Sequence, residues 1–402
     1  MRVLFLTHRL PYAPNRGDRV RAFHIIKSLA SRVELELVSL VHNAEEEAHV
    51  EGMRDLGIQV TALRVPRIKN HAAAVAALAG TRPLTHVLLD ATGLVPALTR
   101  IVRERQPDVV LAYCSGMARL ALEPPLAHYP LVLDLVDVDS EKWTALAAKA
   151  SWPKRAVYQR EAKHLAAFER RAAMQAFTTL VVNDRERDAL HQVAPDATVR
   201  VIPNGVDLAG LRPTTAPVDD PQVIFCGVMN YGPNVDGVLW FSREVWPLIR
   251  ARRPDARFSI VGSSPTSVVR RLQSTATGIQ VTGAVTEVQS RLWKAAVSVA
   301  PLRTARGLQN KVLEALAAGL PTVVTAQVFE GLPAEAHPGC LVADDPEGYA
   351  QHVLSLLALS GTERRAVAAS ADLTWVTWER QLEPLHEILT AAAKRSDIGT
   401  HA

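Results

Sequence analysis

The most constraining feature of the sequence is an alternation of short apolar runs with longer, helix-like stretches, such as Arg19–Ala30 and Ala156–Ala176. Short apolar runs separated by helices predict βαβ units and a mostly parallel sheet. The strands predicted in the first half are Val3–Leu6, Val33–Val41, Gln59–Val65, Val109–Tyr113, Leu131–Val136, Leu180–Val182 and Val199–Ile202.

The pattern restarts after a segment near residues 205–220 that is poor in apolar residues. Its core, 212–217, combines prolines with short polar residues, which is typical of a linker. A chain of 402 residues also exceeds the size at which one hydrophobic core stops growing, about 250–300 residues. We therefore expect two α/β units and a last amphipathic helix at about Trp375–Lys394. The strands predicted in the second unit are Val223–Cys226, Phe258–Val261, Gln280–Thr282, Ser298–Ala300 and Thr322–Val324.

Parallel sheets bind ligands in the crevice outside the carboxyl ends of their strands. Two such sheets placed face to face would direct these crevices at one another. We therefore expect the function to lie in a cleft between the two units.

Composition excludes several classes of protein. The chain is 48% hydrophobic and 21% charged, as expected for a globular protein. Its three cysteines are too few and too widely spaced for a disulfide framework. The apolar run Ala72–Ala79 is far shorter than the roughly 18 residues that span a bilayer. Since Met1–Thr7 is also too short for a signal-peptide core and predicts a strand, we expect a soluble, cytoplasmic protein.

Positive charge is concentrated at the start of the chain. Residues 1–32 hold seven Arg or Lys and one acid, Asp18. This local excess favours an anionic partner, such as a phosphate or an acidic membrane surface, over extended nucleic acid.

The most informative segment is 301–321. A strand is predicted to end at Ala300, a loop containing Gly307 follows, and a helix runs to Ala318 before Gly319-Leu320-Pro321 ends it. A strand, loop and helix in this order direct unpaired backbone N–H groups at one point, which suits a phosphate.

The side chains of this segment strengthen the prediction. Arg303, Arg306 and Lys311 add three cations, and Glu314 lies one turn further on, where a carboxylate could accept both hydroxyls of a ribose. The alternative is an ordinary surface helix with a basic first turn, which the helix dipole disfavours.

This segment resembles the signature of the retaining GT-B glycosyltransferases of the glycogen-synthase-like group, glycosyltransferase family four. The family has two glutamates eight positions apart around Gly-x-Gly, followed by Ala-x-Gly-x-Pro. Glu314 matches the second glutamate, which binds the nucleotide ribose in the family. Arg306 occupies the position of the first, which contacts the donor sugar, and Gln309 that of the second glycine. The variant at 307–314 is similar to bacterial sugar transferases associated with exopolysaccharide biosynthesis.

Other segments carry the resemblance along most of the chain. Residues 7–18 resemble the loop after the first strand, which implies that Gly17 lies near the β-phosphate of the donor. Residues 225–231, with Asn230, resemble the first strand and loop of the nucleotide domain, and 281–285, with Val285, the turn beside the nucleotide base. Residues 201–207 are similar to the strand that enters the linker, and 375–379 to the start of a helix that crosses back to the first domain.

One departure concerns the clamp on the diphosphate. The family commonly places an Arg and a Lys-Gly after the first strand of the nucleotide domain, whereas this chain has Val228 or Met229 and Asp236-Gly237. Our hypothesis is that Arg303, Arg306 and Lys311 supply the lost charge from the opposite loop.

A second candidate region follows the predicted strand Leu131–Val136. Asp137-Val138-Asp139 matches the DxD pattern that holds a divalent cation in GT-A glycosyltransferases, but two acids two positions apart are a weak signal. By the resemblance, Asp137 lies near the reacting sugar and contacts a sugar hydroxyl or the acceptor without a metal. The alternative is a helix N-cap at Asp139 or Ser140.

The stretch 149–171 holds seven Lys or Arg, two acids and interleaved apolar residues. Such a helix could lie on an anionic bilayer, although a solvated helix face is the commoner arrangement.

The resemblance implies a GT-B fold of two facing Rossmann-like domains. Residues 1–207, completed by a crossover helix within 375–402, would bind the acceptor, and residues 217–374 the nucleotide sugar. The implied function is metal-independent transfer of a hexose, with retention, from a nucleotide-diphosphate sugar to a glycan or lipid-linked acceptor. No cofactor and no nucleic acid are expected, and the protein would act in the cytoplasm or at the inner face of the plasma membrane.

Each candidate site residue has an expected part in this function. Asp137 and Arg306 are the catalytic candidates. The donor-binding candidates are Gly17, Asn230, Val285, Arg303, Gly307, Leu308, Gln309, Asn310, Lys311 and Glu314. Two alternatives remain open: a UDP-sugar epimerase of the same fold, and a non-catalytic partner that binds sugar nucleotides.

Overall fold

The computed structural model describes residues 1–12, 17–304 and 308–399, without the side chains of 17, 18 and 396–399. The chain divides into two compact units. The first unit comprises Met1–Gly205 with Gln381–Ala402, and the second unit comprises Val206–Arg380. Each unit is built on one parallel sheet.

The first unit contains a seven-stranded parallel sheet in the order β3-β2-β1-β4-β5-β6-β7. Its strands are β1 (Arg2–Thr7), β2 (Glu34–Val41), β3 (Gln59–Arg64), β4 (Val109–Tyr113), β5 (Leu131–Val136), β6 (Thr178–Val181) and β7 (Val199–Val201). Its helices are α1 (Gly17–Ala30), α2 (Ala44–Ala48), α3 (Val50–Arg54), α4 (Arg67–Ala76), α5 (Leu84–Leu88), α6 (Leu94–Arg105), α7 (Ser115–Ala121), α8 (Asp139–Lys149), α9 (Lys154–Gln175) and α10 (Asp184–Val193), with a 3-10 turn at Ala77–Ala79. The central strands are apolar and almost wholly buried, as in a sheet covered by helices on both faces.

The second unit contains a six-stranded parallel sheet in the order β10-β9-β8-β11-β12-β13. Its strands are β8 (Gln222–Cys226), β9 (Arg257–Val261), β10 (Ile279–Gly283), β11 (Val297–Ala300), β12 (Thr322–Val324) and β13 (Cys340–Val342). Its helices are α11 (Leu208–Leu211), α12 (Gly232–Trp240), α13 (Trp246–Arg252), α14 (Ser267–Arg270), α15 (Gln289–Leu292), α16 (Asn310–Ala317), α17 (Ala326–Glu330), α18 (Pro346–Ala358), α19 (Gly361–Ala369) and α20 (Trp378–Gln381). A π-helical turn at Phe241–Val245 and 3-10 turns at Ala334–Gly339 and Thr374–Val376 complete it. In both sheets the strand order reverses at the first strand of the unit, so both are Rossmann-like and the predicted α/β class is confirmed.

Helical structure departs from the predictions in two places. The expected last helix from Trp375 is wrong at its start: a 3-10 turn and the short helix α20 precede α21 (Glu383–Gly399), which packs on β4 and β5. Pro384 is the second residue of α21. In the first turn of a helix a backbone N–H has no partner within the helix, so proline is tolerated there and favours the start of a new helix. The stretch 149–171 is also not one helix, because α8 ends at Lys149 and α9 begins at Lys154 after Pro153.

The alternative for this region, a helix N-cap at Asp139 or Ser140, is wrong. Val138 occupies that position, and Asp139 is the first helical residue of α8. The Asp139 carboxylate instead accepts a hydrogen bond from the Ser115 hydroxyl at 3.0 Å, and the Ser140 hydroxyl donates to Glu169 at 2.5 Å. Both side chains therefore join α8 to neighbouring helices. Within the described residues, no helix has the length and apolarity that crossing a membrane requires.

Candidate functional site

Three adjacent strands of the second sheet end in glycine. Gly227 follows β8, Gly262 follows β9 and Gly283 ends β10. Gly262 has a φ of 153°, and a Cβ at this position would overlap the carbonyl oxygen of Gly227. Gly283 has a φ of 70° and open space where a Cβ would lie. Gly227 and Gly262 thus allow close packing of protein atoms at this edge, whereas Gly283 leaves the backbone accessible to a ligand.

The helix α16 begins beside this edge, after the loop that leaves β11. Its buried face is apolar and consists of Val312, Leu313, Ala315 and Leu316, which are at most 3% exposed. Lys311 and Glu314 lie outside this buried set and are only partly exposed. The core therefore fixes the helix, and the helix in turn fixes these two charged side chains.

Lys311 connects α16 to the segment that follows β8. Its Nζ donates to Asn234 Oδ1 at 2.6 Å and lies 5.1 Å from the ring centroid of Phe225. Asn234 is 4% exposed, and its Nδ2 donates to the carbonyl of Val228 at 3.0 Å. Burial lowers the pKa of Lys311 to about 8, against the opposing effects of Cys226 and Glu314. The cation is thus held in place before any ligand binds.

Glu314 is the only acid among the candidate site residues of the second unit. Burial raises its pKa to about 7, and the nearby Lys311 only partly offsets this. In the described part of the chain, no side chain or backbone N–H donates a hydrogen bond to its carboxylate. Glu314 is partly exposed, and its oxygens are not among the fully buried unpartnered polar atoms of the described residues, so the carboxylate is open to hydrogen-bond donors from outside the chain.

The remaining candidates of the second unit are placed differently. Arg303 and Asn230 are exposed. Val285 and Leu308 are partly buried and pack against the core of this unit, so their backbone rather than their side chains is available. Gln309 and Asn310 are partly exposed at the start of α16. Arg306 and Gly307 lie outside the described residues.

Two candidates belong to the first unit. Gly17 begins α1. Asp137 is exposed directly after β5, and its backbone N–H donates to the carbonyl of Leu135 at 2.8 Å. The intervening Val136 has a φ of 67°, which is a strained conformation for a β-branched residue. The register of β5 against β6 also shifts between Asp134 and Val136.

A buried ion pair fixes this strained turn. Asp134 is fully buried, and its Oδ2 accepts a hydrogen bond from Arg21 Nε at 2.8 Å. Its Oδ1 accepts from the backbone N–H of Val136 at 3.2 Å. The same guanidinium donates to Asn204 Oδ1 at 3.1 Å. Arg21 and Asp134 thus hold α1, the end of β5 and residue 204 together, and they position Asp137.

Sequence reasoning missed Asn234, Arg21 and Asp134. Only Asp134 carries a signal in the sequence, because an acid inside the apolar run Leu131–Val136 must be paired when the strand is buried. The partners of the other residues are 77 and 113 positions away along the chain, and no local pattern indicates such pairs.

Among the described residues, no three His, Cys, Asp or Glu side chains are grouped in a way that could hold a metal ion. Asp137 is exposed, whereas the carboxylate of Asp139 accepts a hydrogen bond from the Ser115 hydroxyl.

Solved structures of the same architecture include those of three proteins. HepE of Anabaena in complex with UDP-glucose is 15% identical, with a TM-score of 0.60 over 97% of this chain and 100% of that chain. WaaG, a glycosyltransferase involved in lipopolysaccharide biosynthesis, is 17% identical, with a TM-score of 0.57 over 100% of both chains. The α,α-trehalose 6-phosphate synthase of Burkholderia multivorans is 14% identical, with a TM-score of 0.62 over 98% and 99%. At these identities the likeness shows the fold alone, which is GT-B.

Two family models match consecutive parts of the chain. The glycosyl transferase 4-like domain matches residues 16–205, and glycosyl transferases group 1 matches residues 220–359. No curated protein matches the chain in sequence. With the GT-B fold and with both models spanning most of its length, the protein is a GT-B glycosyltransferase of the family-four type.

Proposed function

We propose that the protein transfers a hexose from a nucleotide-diphosphate sugar to a glycan or lipid-linked acceptor in cell-surface or exopolysaccharide biosynthesis. Retention of anomeric configuration is part of the proposal and rests on the resemblance to the family. The observation that carries it is the carboxylate of Glu314, which is partly exposed, has a pKa raised by burial and has no hydrogen-bond donor in the described part of the chain. The two hydroxyls of a ribose are suitable donors for such a group.

A UDP-sugar is the first donor to test. HepE, which shares the fold, was determined in complex with UDP-glucose. In our proposal Glu314 binds the ribose, and the start of α16 with Lys311 binds the diphosphate. The accessible backbone beside Gly283 is available to the base.

The chemical demand on these residues is to stabilise a departing nucleoside diphosphate while the sugar carbon becomes cationic. Fixed cations and N–H dipoles meet this demand because they are oriented before the reaction. Lys311 is already held by Asn234 at 2.6 Å. Arg303 and Arg306, on the preceding loop, supply further charge in our proposal. The proposed reaction needs no metal ion, since these cations take the part that a divalent ion has in GT-A enzymes.

The first unit is proposed to bind the acceptor. Asp137 is exposed on a turn that the Arg21–Asp134 pair holds in a strained conformation. Strain of this kind persists only where surrounding structure enforces it, and it is concentrated at functional sites. We therefore propose that Asp137 contacts a sugar hydroxyl or the acceptor.

Contact with an anionic membrane through 149–171 is also part of the proposal. Both acids of α9 are buried: Glu161 accepts hydrogen bonds from the start of α5, and Glu169 accepts them from Ser140. Lys154, Arg155, Lys163, Arg170 and Arg171 are exposed. The exposed charge of this helix is therefore cationic, which supports an interaction with acidic lipids at the inner face of the plasma membrane.

The test is a transfer assay with labelled UDP-, GDP- and ADP-sugars and a membrane extract as the source of acceptor. We expect labelled product with one donor, also in the presence of EDTA, and we expect its loss in Glu314→Ala. Glu330→Ala is the matched control, because Glu330 is exposed in the same unit.

Three outcomes would contradict the proposal. Donor binding without product from any extract would favour a non-catalytic partner, which the arginine at position 306 motivates. An epimerised donor in the absence of extract would favour an epimerase. Loss of activity in EDTA that is restored by Mn²⁺ would refute metal independence.

A further inference from the structure

A cavity of about 720 Å³ lies in the first unit, and none of the residues proposed for donor or acceptor binding lines it. Its apolar wall includes Val95 and Leu98 from α6, Leu120 from α7 and Phe168 from α9. The volume is in the range of small-molecule sites, about 300–1,000 Å³.

Arginines at this cavity give it a positive charge. Arg82 and Arg119 share one carboxylate oxygen of Asp90, at 2.6 and 3.0 Å, so two guanidinium groups face a single counterion. Arg171 adds a third, and its only ion pair among the described residues is with Glu123, an exposed acid that also lines the cavity, at 3.5 Å. Pairs exposed to this degree are weak. The cavity thus retains net positive charge.

Buried polar atoms in the cavity wall have no partner. His86 is 2% exposed, and within the described residues neither its Nε2 nor Arg119 Nε has a hydrogen-bond partner. Burial and the adjacent Arg119, Arg82 and Arg171 lower the pKa of His86 to about 3, so the imidazole is neutral at pH 7. The positive charge of the cavity wall therefore comes from its arginines and not from His86.

The segment that precedes the cavity-lining residues 81–83 is apolar and basic. Residues 67–82 contain no acid, and Ile68, Val75 and Leu78 are 90%, 68% and 39% exposed. Arg160 of α9 fixes this segment by donating to the carbonyls of 77, 78, 80 and 82. Exposed apolar side chains beside cations are typical of surfaces that lie in the headgroup region of a bilayer.

We propose that this cavity binds the phosphate headgroup of an anionic phospholipid, with the three arginines facing the phosphate and the apolar wall contacting the glycerol and first acyl carbons. The charge of the wall matches the phosphate, and its apolar half matches the part of the lipid next to it. This inference extends the proposed membrane contact and does not depend on the donor site.

The experiment is calorimetric titration of the full chain with dihexanoyl phosphatidate below its micellar concentration. Dihexanoyl phosphatidylcholine and inorganic phosphate are titrated separately. We expect saturable 1:1 binding of phosphatidate and much weaker binding of the other two. Arg171→Gln should weaken phosphatidate binding about fivefold, the effect of one cation beside a lipid phosphate.

Arg170→Gln is the matched control, because Arg170 is the exposed neighbour of Arg171 on α9 and does not line the cavity. We expect it to change the affinity less than twofold. Equal losses in both variants would show a general surface charge and overturn the proposal. If inorganic phosphate bound as tightly as phosphatidate, the cavity would be a site for free phosphate. If phosphatidylcholine bound as tightly, the cavity would recognise only the apolar part of the lipid. Either result would also overturn the proposal. The increase in melting temperature that UDP causes should be the same in the wild type and in Arg171→Gln. This measurement reports on the donor site alone, so it distinguishes failure of the lipid proposal from failure of the proposed donor site.

Discussion

Glu314→Gln should make the ligand-free protein more stable at alkaline pH while it weakens donor binding. Burial raises the pKa of Glu314 from its ordinary 4.5 to about 7. Below pH 4.5 the carboxyl is protonated in both the folded and the unfolded protein. Between pH 4.5 and 7 the unfolded chain releases the proton and the folded protein retains it, so stability falls as the pH rises. Above pH 7 the loss is complete.

The size of this effect follows from the same pKa. A change from 4.5 to about 7 corresponds to about 3 kcal/mol of unfolding free energy at pH 8. The glutamine is neutral and avoids this loss, although Lys311 then has no carboxylate nearby. We therefore expect the variant to gain about 2 kcal/mol on the wild type between pH 5 and pH 8.

Urea unfolding of both proteins at pH 5 and pH 8 measures the gain. Glu330→Gln, at an exposed position of the same unit, should show none. An advantage of Glu314→Gln that is the same at both pH values would refute the reasoning, because a packing effect does not depend on the protonation of residue 314.

Three further predictions concern the backbone, the buried ion pair and the cation. Gly262→Ala should unfold or strongly destabilise the second unit in urea, since its Cβ would overlap the Gly227 carbonyl, and an unchanged transition would contradict this. Arg21→Met should lower the free energy of unfolding by about 3–5 kcal/mol, because it leaves the Asp134 carboxylate buried without its partner. A loss below 1 kcal/mol in urea unfolding would show that the ion pair does not stabilise the first unit. Affinity for UDP should fall above pH 8, where Lys311 loses its proton. In a calorimetric pH series, Lys311→Gln should weaken UDP binding at pH 7.5 and should not show this alkaline decrease. A decrease that persists in the variant would show that another group is responsible.

Most of the fold could be predicted from the sequence. Each predicted strand is present within a few residues, because strands buried on both faces leave continuous apolar runs such as Val109–Tyr113. The strand Cys340–Val342 was missed, since three residues between Gly339 and Ala343 leave no measurable periodicity. The last helix begins later than predicted, at Glu383, because its apolar spacing continues across the break before Pro384.

The candidate site was predictable only in part. The order of strand, loop and helix around α16 is a local pattern, and it makes Lys311 and Glu314 candidate residues from the sequence alone. The contact of Lys311 with Asn234 and the pairing of Arg21 with Asp134 join residues distant in sequence, and only the tertiary structure brings them together. The exposure of Arg303 was equally unpredictable, because charge in a loop does not determine the direction of its side chain.

The measurement that tests the central claim most directly is the affinity of the wild type and of Glu314→Ala for UDP and UDP-sugars, by calorimetry at pH 7.5. If Glu314 binds the ribose, the variant should lose about 1–3 kcal/mol of binding free energy while remaining folded. GDP- and ADP-sugars, titrated in parallel, identify the base. Equal affinity of both proteins for every nucleotide sugar that binds, or no binding of any to the wild type, would contradict a donor site at α16.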